Sequence, residues 1–308
     1  MSKKVSKKTS IIKTEINEEI EKHLNSLLPE TREILEKSEE ERIVYALTDK
    51  FIVHNAIIQV MDYLNLLMKI PKKPRMKGLI LYGESGTGKT MLINEFCKKY
   101  EAKCKPEEES DEIPILIVEM PTEPKERELY DRILDAIGVP FKKTDDLLTK
   151  EKMISYYFDL LKVRLLVFDE FHNVLNGTTN QQKKVLSAIK GLTNKLQIPI
   201  VLVGTKDVLI AIETDDEVKR RFDKFELPMW QYNDEFKRLL RSLEVTLPLK
   251  KPSYLWKNEE LIIWLLEKTE GILAEIVHIL KQACVKAIQT GEERITLELA
   301  KKAISFLK

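Results

Sequence analysis

Apolar residues are distributed along this chain in two patterns. Some form short unbroken runs: Gly78-Leu79-Ile80-Leu81-Tyr82, Ile113 to Met120, Arg164-Leu165-Leu166-Val167-Phe168 and Ile198 to Val203. Runs of this length, bounded by glycine, proline or charge, read as strands buried on both faces. Between them, apolar residues recur every three or four positions, the period of a helix with one buried face. Ile57, Val60, Met61, Leu64, Leu67 and Met68 make such a face over residues 55–68, with Gln59, Asp62 and Asn65 opposite. Leu129, Ile133, Leu134 and Ile137 make another over 125–137, closed by Gly138. Further helices are predicted at 144–162, at 181–196 and from Lys206 to about Phe222, with a last short strand at Lys224 to Leu227. Strands alternating with helices give a parallel α/β sheet, whose ligands sit at the carboxyl ends of the strands.

Outside this stretch the strand pattern is absent. From Met229 onward, helices are predicted at 233–245, 258–268, 272–289 and 296–307, an all-helical domain of acceptable size at about eighty residues. Residues 15–50 are also predicted helical, with Leu24, Leu27, Leu28, Ile34 and Leu35 near helical spacing and an interruption at Pro29. Residues 1–14 carry Lys3, Lys4, Lys7, Lys8 and Lys13 and read as a basic flexible tail. The division expected is therefore 1–14 tail, 15–50 helical segment, 51–228 α/β domain and 229–308 helical domain.

The first strand runs straight into Gly83-Glu84-Ser85-Gly86-Thr87-Gly88-Lys89-Thr90, followed by Met91 at the start of a helix. This fits G-x-x-x-x-G-K-[ST], the phosphate-binding P-loop. Glycines let the backbone turn its N–H groups toward phosphate oxygens. Lys89 reaches the β- and γ-phosphates, the Thr90 hydroxyl can ligate Mg²⁺, and the helix that follows directs its positive end at the same anion. Downstream, the third strand delivers Asp169-Glu170, the Walker B pattern. Asp169 is expected to hold Mg²⁺ and Glu170 to act as general base on the attacking water. The cofactors read from these two motifs are ATP and Mg²⁺.

Composition changes the picture little. The 308 residues carry a net charge of +1, so no global field points to nucleic acid and any DNA contact must be local. Cys97, Cys104 and Cys284 lie far from metal-site spacing and fit a reducing, cytoplasmic setting. Four histidines make no cluster, and no apolar run is long enough to span a bilayer.

The arrangement resembles the AAA+ ATPases. More closely, Met120-Pro121-Thr122-Glu123-Pro124, Phe168-Asp169-Glu170-Phe171-His172-Asn173, Leu196-Gln197-Ile198-Pro199, Val203-Gly204-Thr205-Lys206-Asp207, Arg221-Phe222 and Leu227-Pro228 resemble the TniB/TnsC family of transposition ATPases, over roughly residues 40–295. The resemblance implies a five-stranded parallel sheet of order 5-1-4-3-2 with a C-terminal helical lid. It also implies a homo-oligomer, ring or helical filament, on double-stranded DNA bound without sequence preference. That assembly would connect a TniQ-type target selector to a transposase, and hydrolysis would disassemble it. By position, Thr205 would be the sensor after the fourth strand and Arg221 the arginine finger reaching a neighbour's ATP, with Arg220 as the alternative. The lid reads Gly271-Ile272-Leu273-Ala274 where many AAA+ lids carry Gly-x-x-Arg, which suits a slow switch.

The surface proposed for DNA is the segment after the second strand. Thr122, Lys125 and Arg127 open a helix, and Lys142, Lys143, Lys150 and Lys152 follow. Interleaved Glu123, Glu126, Glu128 and Asp131 fit a solvated helix face equally well. The other functional class carrying the same motifs is a helicase loader or replication initiator. An initiator is expected to add a helix-turn-helix or winged-helix domain after the lid, for which the sequence to Lys308 leaves no room.

Overall fold

The structure is a computed structural model that describes residues 18–100 and 112–304. The basic arm at Lys3 to Lys13, Cys104, most of the acidic loop predicted at 105–112 and the end of the last predicted helix lie outside the described residues. The chain divides into two compact units, one comprising Val53–Pro228, the other the residues up to Ile52 together with those from Met229.

In the first unit, β1 (Gly78–Tyr82), β2 (Ile115–Glu119), β3 (Leu165–Asp169), β4 (Ile200–Gly204) and β5 (Phe222–Glu226) form one sheet of order β2-β3-β4-β1-β5. Every pairing is parallel, with Leu79 opposite Val201 and Asp223, and Val167 opposite Ile117 and Val201. This is the predicted sheet and the predicted order. The three central strands are buried along nearly their whole length because helices cover both faces. Ile80, Leu166, Phe168 and Leu202 meet Ile133 and Leu134 of α6 (Glu126–Ile137), Phe158 of α7 (Leu147–Leu160), and Val185, Ile189 and Leu192 of α8 (Thr179–Leu196). Burying each side chain of this size contributes roughly 1.5–3 kcal/mol. Helix α4 (Asn55–Leu67) buries Ile57, Val60, Leu64 and Leu67, the predicted face.

Local chemistry explains the helix ends. Thr178 and Gln181 form a reciprocal capping box at the start of α8, Asp146 accepts from the Thr149 N–H at the start of α7, and Gly138 takes φ 80° to end α6. It also explains a difference from the sequence reading. The single helix predicted from Lys206 to Phe222 is two, α9 (Asp207–Glu213) and α10 (Asp216–Arg221). Asp215 breaks the run by accepting from the N–H groups of Glu217 and Val218, so the chain restarts rather than continues.

A second correction concerns Lys150. It is not part of a basic surface: it is fully buried, pairs with Asp131 and donates to the Lys143 carbonyl at 3.1 Å. The pair ties α6 to α7.

The described residues of the second unit form helices and no strand: α1 (residues 18–26), α2 (Pro29–Leu35), α3 (Glu39–Leu47), α11 (Asp234–Glu244), α12 (Glu259–Thr269), α13 (Leu273–Gln289) and α14 (Leu297–Ile304). Pro29 interrupts the N-terminal helical stretch by occupying the first turn of α2. Sequence reading set residues 15–50 apart, whereas here Ala46 shares a core with Phe236, Leu240, Leu261, Ile276 and Leu280. Arg42, 4% exposed, fastens the two ends of the sequence by a bidentate pair with Glu293 and a hydrogen bond to the Pro248 carbonyl. The bonded partners lie more than 200 positions apart, beyond the reach of any local pattern.

Candidate active site

The carboxyl ends of β1, β3 and β4 lie side by side, so the segments that leave them converge. After β1 the chain forms the glycine loop, with Gly86 at φ 78° and Gly88 at φ 96°, conformations that admit glycine readily. A Cβ on Gly83 would stand 2.4 Å from the Leu227 carbonyl oxygen, so the loop also needs glycine where it passes the end of β5. Gly88 gives way to α5 (Lys89–Lys98), whose first turn faces the loop.

Lys89 is 8% exposed, and its Nζ donates to the carbonyls of Gly83 at 2.9 Å and Glu84 at 2.8 Å. The ammonium is thus held over the loop that a triphosphate would occupy. Burial lowers its pKa below the ordinary lysine value, while Glu170, Asp169 and Glu84 pull it back toward the charged form. The Thr90 hydroxyl donates to Asp169 Oδ2 at 2.8 Å, which joins the first motif to the second. These are hard oxygen donors of the type Mg²⁺ takes. Among the described residues no cluster of three or more His, Cys, Asp or Glu could hold a metal by itself.

Glu170 follows at φ 53°, ψ 34°, a left-handed conformation that costs a residue other than glycine roughly 1–3 kcal/mol. Its N–H donates to Asp169 Oδ1 at 2.8 Å. A 3₁₀ helix (Phe171–Asn176) comes next. It is stapled to the end of β2 by Asn173 Nδ2 to the Met120 carbonyl and Asn176 Nδ2 to the Thr122 carbonyl, both 3.3 Å. Thr205, half-buried just past β4, places its hydroxyl 3.4 Å from Asp207 Oδ2. Lys206, not singled out by sequence, pairs with Glu226 at 3.2 Å and reaches toward Glu84 of the loop.

The arginines are placed differently from expectation. Arg221 is 6% exposed, donates to Asn194 Oδ1 at 2.8 Å and pairs with Glu217 one turn earlier. Its side chain is turned into its own subunit because residue 221 lies on the buried side of α10. Arg220, one position back, is exposed.

The residues expected to face DNA make contacts within the chain. Arg127 donates to the carbonyls of Lys143 and Asp145, both at 2.7 Å, so it clasps the loop that presents the exposed Lys142 and Lys143. Lys125 is exposed and pairs with Glu123, and exposed Thr122 lends its carbonyl to Asn176.

Solved structures with a similar fold include ORC2 of Aeropyrum pernix in ADPNP–ADP complexes (16% identity, TM-score 0.56, covering 83% of this chain and 70% of that one). ORC1 of the same organism in complex with DNA matches at 16% identity and TM-score 0.56, over 86% of this chain and 69% of that one. Cdc6p from Pyrobaculum aerophilum matches at 14% identity and TM-score 0.57, over 85% and 70%. At such identities the likeness is one of fold. Together, the sheet order, the glycine loop and the Asp-Glu pair give the chain the fold of the AAA+ P-loop ATPases. A comparison with family models matches the bacterial TniB protein family over residues 42–232, and the chain belongs to that family. A comparison with curated proteins finds no match.

Proposed function

We propose that this protein is an ATP-dependent regulator of DNA transposition that assembles on duplex DNA in its ATP-bound form and leaves it on hydrolysis. The reading is supported by membership of the TniB family and by one observation above the others, the Thr90–Asp169 hydrogen bond with Glu170 adjacent. It brings a phosphate cradle, a metal-binding pair and a base to one end of the sheet. ORC1 of Aeropyrum pernix, which shares the fold, was solved with DNA, which favours a duplex as the surface acted on. The partners of this reading are a transposase and a TniQ-type target selector, inside a bacterial cell. Among the described residues no helix is long and apolar enough to cross a membrane.

In this mechanism the loop N–H groups and Lys89 bind the triphosphate. Thr90 and Asp169 would hold Mg²⁺, which neutralises phosphate charge when bound. Glu170 accepts the proton of the attacking water, and Thr205 orients that water or the γ-phosphate. The finger supplied to a neighbour's ATP is Arg220, because it is the exposed arginine of the pair. Such a group is worth roughly 10³–10⁵ in rate in other P-loop enzymes. Lys125, Lys142 and Lys143 meet DNA phosphates, with Arg127 shaping their loop. The test is turnover measured against protein concentration with and without duplex DNA. Turnover should rise with both, and concentration-independent turnover by a verified monomer would overturn the assembly reading.

A further inference from the structure

We propose that His172 is a positioning residue for Glu170, and that it ties this base to the strand carrying Thr205. The proposal rests on the ATPase reading above. The Glu170 side chain is 46% exposed, so its carboxylate would otherwise sample several rotamers. His172 Nε2 stands 3.3 Å from Glu170 Oε2 and limits that freedom.

The opposite edge of the ring is fixed. His172 Nδ1 is buried and has no hydrogen-bond partner. A Cβ added to Gly204 would lie 3.1 Å from this Nδ1, 3.2 Å from the His172 backbone nitrogen and 2.6 Å from Val208 Cγ2. The ring therefore lies between the end of β4 and the carboxylate, and a side chain at position 204 would crowd both it and Val208. Leaving a buried nitrogen unpaired costs roughly 1–3 kcal/mol, an arrangement that calls for an explanation. Holding Nε2 toward Glu170 supplies one. The same Gly204 gives its carbonyl to the N–H of Gly83 at 3.3 Å. The end of β4 thus touches the phosphate loop on one side and, through His172, the base on the other. A shift of Thr205 against phosphate would move both.

The experiment compares His172→Ala, His172→Gln, Glu170→Gln and the double variant H172A/E170Q in the full chain. It measures steady-state phosphate release, the Kd of a fluorescent ATP analogue and the melting temperature. Misplacing a reacting group by about 1 Å costs up to roughly 10²-fold, so H172A should lose about 10- to 100-fold in kcat. Its analogue Kd should stay within about twofold of wild type, since uniform binding is untouched. H172Q should recover most of the rate, because its amide nitrogen sits the same number of bonds from the backbone. The double variant should be no slower than E170Q alone, as expected of residues acting through one another. Wild-type kcat in H172A while E170Q stalls would overturn the positioning role and leave the base assignment standing. A loss carried by weaker analogue binding, or additive losses in the double variant, would also overturn it. Wild-type turnover in E170Q would refute the base itself and the proposal with it.

Discussion

Arg221→Ala and Arg220→Ala should separate a residue that holds the fold from one that acts on a neighbour. Arg221 is 6% exposed and its Nη1 donates to Asn194 at 2.8 Å. Truncation removes two buried methylenes at about 0.8 kcal/mol each, and a charge-assisted hydrogen bond worth about 1.5–3 kcal/mol. The exposed Glu217 end of the ion pair is screened and is given no weight. Nε of Arg221 is buried without a partner, and relieving it returns about 1 kcal/mol. The net loss is about 2–3.5 kcal/mol, a fall in melting temperature of about 4–14 °C for a domain of this size. Arg220→Ala should leave the melt unchanged and reduce turnover in concentrated protein by roughly 10³-fold or more. Mixing Arg220→Ala with Lys89→Ala should restore part of that activity, because one variant keeps the intact site and the other the finger. Scanning calorimetry and phosphate release on the same samples decide the matter. If Arg221→Ala melts like wild type, has lost turnover and is rescued by Lys89→Ala, while Arg220→Ala turns over normally, the assignment of the two roles is wrong.

Lys89→Ala should abolish binding of a fluorescent ATP analogue, as the ammonium is the buried cation of the glycine loop; wild-type affinity would contradict this. Glu170→Gln should bind the analogue and stall hydrolysis, and its assemblies on DNA should outlast those of wild type in a dissociation assay. Lys150→Ala should cost about 3–5 kcal/mol in a denaturant melt by leaving Asp131 buried and unpaired, so an unchanged midpoint would refute the burial argument. Combined Lys125→Glu and Lys143→Glu should weaken duplex binding and flatten its salt dependence by about one unit per lost phosphate contact, with analogue binding unchanged. An unchanged slope would move the DNA surface elsewhere.

The sheet was legible because its inner strands are short, apolar up to their ends and punctuated by motifs, so that Gly78–Tyr82 and Leu165–Asp169 announce both element and position. Their order followed from resemblance rather than from periodicity. What stayed hidden depends on partners distant in sequence. Lys150 reads as one more surface lysine until Asp131, 19 positions away, is seen to face it. Arg220 and Arg221 cannot be told apart without knowing which side of a six-residue helix is buried. The association of Arg42 with Glu293 spans 251 positions. Asp215 was the readable miss: an Asp-Asp after Thr214 is a capping signal inside a predicted helix. His172 was visible in the Asp-Glu-x-His-Asn spacing, yet its place against Gly204 required the fold.

The central claim, that ATP gates assembly on DNA, is tested most directly by sedimenting the protein with duplex DNA. The nucleotide would be a slowly hydrolysed ATP analogue in one sample and ADP in another, with Glu170→Gln and ATP as a third. The account predicts large co-sedimenting assemblies with the analogue and with Glu170→Gln plus ATP, and release in ADP. Equal sedimentation in all three, or none in any, would contradict it.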